Sequence, residues 1–163
     1  MAISKSKLSK IKVLALDFDG VFTDNKVIVD QNGVEHVICS RADGIGISNI
    51  KKKGIIVYIV SSEVNNVVKK RAKKLEIDCF HGVKDKGVVL EKVSKSHNIK
   101  PENILFLGND INDIPAFDYA GISVGVNDSH PGINSHIDFK LSKNGGDGAV
   151  RELCDLIIEG FDG

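Results

Sequence analysis

The chain has 163 residues, 42% of them hydrophobic, enough for one domain with a proper core and too few for two. Lysine plus arginine equals aspartate plus glutamate at 22 each, so no overall field favours nucleic acid or a membrane surface as a partner. Cys39, Cys79 and Cys154 are too scattered for a disulfide framework or a zinc site, no apolar run could span a bilayer, and the apolar stretch within the basic segment 1–12 is too short for a signal peptide, so a cytoplasmic location is expected.

Residues 11–16 are apolar apart from Lys12 and show no polar alternation from Val13 on, which predicts a fully buried strand. The strand ends in Asp17-Phe18-Asp19-Gly20-Val21-Phe22-Thr23-Asp24. Side chains two apart on a strand share a face, so Asp17 and Asp19 start out pointing the same way. They lie beyond the carboxyl edge, where open α/β sheets bind ligands. Two carboxylates so close repel unless a cation or a shared proton holds them; the competing reading is a solvated Asp/Gly-rich turn.

The next segment, 26–39, carries Asn32-Gly33 between arms rich in β-branched residues, the strongest short-range hairpin signal. Its arms have apolar residues on both faces, and a lone hairpin is marginal in water with unpaired edges. Packing against a second copy of the chain is therefore expected ahead of folding back on its own domain. Further strands are expected at 54–60, 103–108 and 121–126, and helices at 45–53, 65–75, 86–97, 111–119 and 149–158. This alternation predicts a parallel sheet with helices on both faces, in a single domain over 1–163 with the hairpin inserted at about 26–39.

In such a sheet the loops carrying Ser61-Ser62-Glu63, Lys86 and Gly108-Asn109-Asp110-Ile111-Asn112-Asp113 all converge near Asp17. Taken singly, Ser61 reads as a helix cap, Lys86 as a solvated lysine and 110–113 as a capping run. Together they suit phosphoryl transfer. An aspartate can attack phosphorus and split one displacement into two. A divalent cation and a lysine neutralise the phosphate oxygens, a hydroxyl and free amides hold them, and a second aspartate moves the proton.

With these motifs the sequence resembles the haloacid dehalogenase superfamily of phosphatases. Asp17-Phe18-Asp19-Gly20-Val21 matches its first motif, Ser61 the second, Lys86 the third and 108–113 the fourth. Over nearly the whole chain it is similar to the small capless branch acting on 3-deoxy-octulosonate 8-phosphate or nonulosonate 9-phosphates. The hairpin, Asp43-Gly44-Ile45-Gly46-Ile47, Asp128-Ser129-His130-Pro131 and the glycine-rich 144–152 carry that likeness. The resemblance implies a Rossmann-like doubly wound sheet without a cap domain, Asp17 as nucleophile and Asp19 as acid/base. It implies phosphoryl binding by Ser61, Ser62 and Lys86, and Mg²⁺ held among Asp17, Asp19, Asn109, Asp110 and Asp113. It also implies a homotetramer whose hairpins close neighbouring sites, and a phosphorylated sugar acid as substrate. Glu63 with Arg71 and Lys74 is the pattern of the nonulosonate type, and 71 and 74 share a helix face; a solvent-facing ion-pair cluster is the alternative.

The fourth motif usually begins Gly-Asp, whereas here Asn109 follows Gly108. An amide oxygen can coordinate a hard cation but brings no charge. Asparagine at this place also occurs in modules fused to cytidylyltransferases that activate sialic acids, so a weakly active oligomerisation partner of such an enzyme is the second reading. A receiver domain is set aside, because no isolated aspartate ends the strand at 54–60.

Overall fold

The computed structural model describes residues 5–162. A short helix, α1 (Lys5–Leu8), leads to β1 (Val13–Leu16), the hairpin strands β2 (Ile28–Val29) and β3 (Glu35–His36), and α2 (Arg41–Lys52). Then come β4 (Ile56–Val60), α3 (Asn66–Leu75), β5 (Asp78–Phe80) and α4 (Lys86–His97). The chain closes with β6 (Ile104–Gly108), α5 (Ile114–Tyr119), β7 (Ile122–Gly125), β8 (Phe139–Lys140) and α6 (Ala149–Asp162).

The main sheet has the order β5-β4-β1-β6-β7-β8, and every pair in it is parallel. Its two central strands are buried on both faces, which is why they read as unbroken apolar runs. Leu14 and Leu16 face α2, α3 and α6 with Ile47, Val68, Leu153 and Ile157, while Val13 and Ala15 face α4 and α5 with Leu90, Val93 and Phe117. From β1 the chain builds outward first through β4 and β5, then on the other side through β6, β7 and β8. The reversal falls between β1 and β6, the crevice in which doubly wound sheets bind ligands. Among the described residues there is no cap domain, and no helix is long and apolar enough to cross a membrane.

Four elements depart from expectation. α2 starts at Arg41, because Ser40 caps it by accepting the Ala42 N–H. The glycines that disguised it allow close packing: a Cβ at Gly46 would lie 2.9 Å from Cys154 Cβ on α6. The edge strands β5 and β8 escape a periodicity search because they are three and two residues long. The helix expected at 111–119 opens as a 3₁₀ turn over Ile111–Asp113 before α5.

The hairpin forms as expected. Asp30 accepts the Asn32 and Val34 N–H groups, and Gly33 takes φ +77°. It also closes over its own chain: Val27, Glu35 and Val37 line a cavity with Asp19 and Glu63. Self-packing, the reading ranked second, is thus part of the arrangement, while Ile28 and Ile38 remain 60% and 75% exposed on the outer side.

Candidate active site

The turn after β1 is built to present carboxylates. Phe18, Val21 and Phe22 are buried and anchor it in the core, with the Phe18 and Phe22 rings stacked at 5.7 Å. Gly20 takes φ +74°, and its N–H donates to the buried Thr23 Oγ1 at 3.1 Å. The glycine-rich loop 144–148 locks the outside of the turn: Gly146 N–H donates to the Val21 carbonyl at 3.0 Å, and any Cβ on Gly145 would strike the Gly20 carbonyl oxygen.

Asp17 continues the ladder of β1, donating its N–H to the Leu107 carbonyl at 2.9 Å. Its Oδ1 meets Lys86 Nζ at 2.7 Å and accepts the Phe18 N–H at 2.7 Å. Lys86 is the first residue of α4, capped by Asp85, and its ammonium is 1% exposed between Asp17 and Asp113, 2.6 Å from the latter. Burial alone would lower the Lys86 pKa; Asp17 and Asp113 outweigh it and hold it above its ordinary value. Burial, then the Asp113 charge, pushes Asp17 up to about 7 against the pull of Lys86. Asp19 is half-buried and is also raised, first by burial and then by Glu63.

Asp113 is not free to bind a cation. Its Oδ1 takes Lys86, and its Oδ2 accepts the Asn109 and Asp110 N–H groups at 2.8 and 3.3 Å. The expected ligand is instead the residue that fixes the lysine and shapes the loop. Asp110 lines the cavity and caps the Ile111 N–H with Oδ1 at 2.7 Å.

The group facing Asp17 is Asn109. Its side-chain amide approaches Asp17 Oδ2 at 3.2 Å and the Asp19 carbonyl oxygen at 3.0 Å. With NH₂ inward it donates to both; with oxygen inward, three oxygens converge with no donor among them. Adjacent oxygens around an octahedral ion with bonds of about 2.0–2.1 Å lie about 2.8–3.0 Å apart, so the spacing suits Mg²⁺. Among the described residues no group of three His, Cys, Asp or Glu side chains could hold a metal, because this trio counts one carboxylate, one amide and one backbone carbonyl.

Asp17, Asp19, Ser61, Ser62, Glu63, Asn109 and Asp110 line one cavity of about 380 Å³, joined by Asn25, Ile111 and Asn112. Ser61 is buried and its Oγ accepts the Glu63 N–H at 3.1 Å, whereas Ser62 is exposed and its Oγ accepts from Asn112 at 3.3 Å. Arg71 and Lys74 are not brought to Glu63. They line a separate groove of about 420 Å³ between α2 and α3 with Arg41 and Lys51, and Arg71 donates to the Ser40 carbonyl at 2.8 Å. Asn25, Glu35 and Asn65 join the site without a signal in the sequence. Only the closure of the hairpin brings them in, and no local spacing signals that.

A buried aspartate clamped by a lysine, beside a gap of converging oxygens at the switch point of a doubly wound sheet, is a phosphohydrolase arrangement. Residues 49–153 match the haloacid dehalogenase-like hydrolase family. The chain belongs to that family and is a phosphatase. It is similar to the 3-deoxy-D-manno-octulosonate 8-phosphate phosphatase of Salmonella typhi, 33% identical over 94% of this chain and 82% of that one. Among solved structures it is similar to the Moraxella catarrhalis 3-deoxy-D-manno-octulosonate 8-phosphate phosphatase in complex with magnesium ion, phosphate ion and KDO (TM-score 0.92, 32% identity, 97% and 93% of the two chains). It also resembles the cobalt-bound deoxy-D-mannose-octulosonate 8-phosphate phosphatase of Haemophilus influenzae (TM-score 0.91, 31% identity, 96% and 92% of the two chains).

Proposed function

We propose that the chain is a Mg²⁺-dependent phosphomonoesterase that acts through Asp17 on a phosphorylated ulosonic acid, an octulosonate 8-phosphate or a nonulosonate 9-phosphate, in the cytoplasm. The observation that carries the reading is the Asp17–Lys86–Asp113 triad set against the oxygens of Asp17, Asp19 and Asn109. A triad of buried charges is costly to keep for stability alone, which weighs against a purely structural partner of a cytidylyltransferase.

Asp17 Oδ2, the Asp19 carbonyl and Asn109 Oδ1 would hold the cation. Bound there, it would favour the ionised form of Asp17 and neutralise charge on the phosphate oxygens. Asp17 attacks phosphorus to give an aspartyl-phosphate, while Lys86 balances the developing charge and Ser61 with Ser62 holds equatorial oxygens. Asp19, at the mouth of the same cavity, protonates the departing alkoxide and then takes the proton of the water that cleaves the acyl phosphate. Glu63 lies where it meets the organic part of the substrate. Within one chain Arg71 and Lys74 face another groove, so they reach a sugar acid only in an assembly. The exposed apolar outer face of the hairpin supports such an assembly, a homotetramer in this reading.

The test is phosphate release from 3-deoxy-octulosonate 8-phosphate, nonulosonate 9-phosphates and hexose phosphates, with and without Mg²⁺, in wild type and Asp17→Asn. Sugar-acid phosphates should be preferred, with activity lost in the variant and in EDTA. A clear preference for hexose phosphates, or activity indifferent to the metal, would contradict the reading.

A further inference from the structure

The ester oxygen that departs must lie near Asp19, so the organic part of the substrate extends past Asp19, away from Asp17. A second cavity of about 220 Å³ opens there and shares Asp19, Asn25 and Glu63 with the first. Its walls are Phe18, Val27, Val37, Val67 and Val68, and its remaining polar groups are Glu35 and Asn65. Among the described residues three carboxylates line it, and no lysine, arginine or histidine does. Lys86 acts on Asp19 from its buried place between Asp17 and Asp113, and Arg71, in the groove between α2 and α3, is tied to the Ser40 carbonyl.

Glu35 comes from the hairpin and is held in place. Its Oε2 accepts from Asn65 Nδ2 at 2.5 Å, while Asn65 Oδ1 accepts the Val67 N–H at 3.0 Å as the cap of α3. One asparagine thus pins the hairpin to a helix end and orients the Glu35 carboxylate. That carboxylate, with Glu63, accepts hydrogen bonds from hydroxyl groups, whereas a second carboxylate brought into the same small, partly dry space meets like charge.

We propose that Glu35, together with Glu63, is a specificity determinant that reads the carbons next to the phosphate ester. It admits a hydroxylated chain there and rejects an acid group at that distance, so a substrate's own carboxylate must sit at its far end. This deepens the proposed phosphatase function and rests on it.

Glycerol 3-phosphate and 3-phosphoglycerate form a matched pair, differing only in CH₂OH against COO⁻ close to the ester. The quantity to measure is the ratio of their kcat/KM values at low salt, in wild type, Glu35→Gln and Glu63→Gln. Because both substrates are read on one preparation, the folded fraction cancels, and glutamine keeps an acceptor for Asn65. Wild type should favour glycerol 3-phosphate by about tenfold or more, and each glutamine should reduce the ratio by about threefold or more. Equal use of the two by wild type, or a ratio unchanged in both variants, would overturn this proposal alone. Failure of wild type to hydrolyse p-nitrophenyl phosphate with Mg²⁺ would overturn the phosphatase function and this proposal with it.

Discussion

Asn109→Asp should tighten binding of Mg²⁺ while destabilising the metal-free protein. Asn109 and Asp17 are 8% and 4% exposed, and the amide lies 3.2 Å from Asp17 Oδ2. Without a cation, the NH₂ of asparagine donates to Asp17 and to the Asp19 carbonyl; a carboxylate cannot. Two unit charges 3.2 Å apart repel by about 5 kcal/mol at an effective dielectric constant of about 20. The pair can escape by placing a proton on Asp17, whose pKa of about 7 means that this costs little at pH 7, so the destabilisation should settle at about 1–2 kcal/mol, chiefly the loss of the amide donor. For a chain of this size that is a fall in Tm of about 2–8 °C in EDTA. Saturating Mg²⁺ should restore most of it, and calorimetry should show Mg²⁺ binding at least about tenfold tighter, since the third ligand now carries charge. Thermal unfolding with EDTA and with Mg²⁺ reads both effects. An unchanged metal-free Tm, or a Mg²⁺-induced rise no larger than in wild type, would refute the oxygen-trio assignment.

Lys86→Met should cost about 3–5 kcal/mol, because it leaves Asp17 and Asp113 buried without their shared cation; denaturant unfolding checks this, and adding Asp113→Asn should recover part of the loss. Asp43 accepts the Arg151 N–H at 3.0 Å with Oδ1, its buried Oδ2 finds no hydrogen-bond partner among the described residues, and burial raises its pKa to about 6. A carboxyl raised in the folded state binds its proton more tightly there, so its contribution to stability falls as pH rises from about 4 through 6, by up to about 3 kcal/mol. Asp43→Asn should flatten that slope and raise Tm at pH 7.5 but not at pH 4; parallel Tm profiles would count against it. Deleting residues 27–38 should lower both the assembly mass in solution and the turnover, and a fully active monomer would contradict the shared-site proposal.

The site was legible where chemistry sits next to a strong structural signal. Asp17, Asp19, Ser61 and Lys86 each follow a buried strand or open a well-capped helix, so periodicity alone placed them at one edge. Asp113 was misread because an acidic loop after a strand advertises a cation, while the folded loop turns that carboxylate inward to Lys86 and its own backbone. Arg71 and Lys74 share a helix face, as the spacing said, but which neighbour that face meets depends on the packing of α2 against α3. Glu35 and Asn65 are 30 positions apart and meet only when the hairpin closes. In the fold, β5 and β8 were lost to their length, and α2 lost its first turn to glycines that serve close packing against α6 and α3.

In the proposed mechanism Asp17 is the group that takes the phosphoryl. Mixing the protein with 3-deoxy-octulosonate 8-phosphate and Mg²⁺, quenching in acid within a turnover and mapping peptides by mass spectrometry tests it directly. One phosphoryl group on the peptide carrying Asp17, absent in Asp17→Asn and without metal, is the expected result. Rapid release of phosphate with no trace of that adduct, or an adduct elsewhere in the chain, would contradict it.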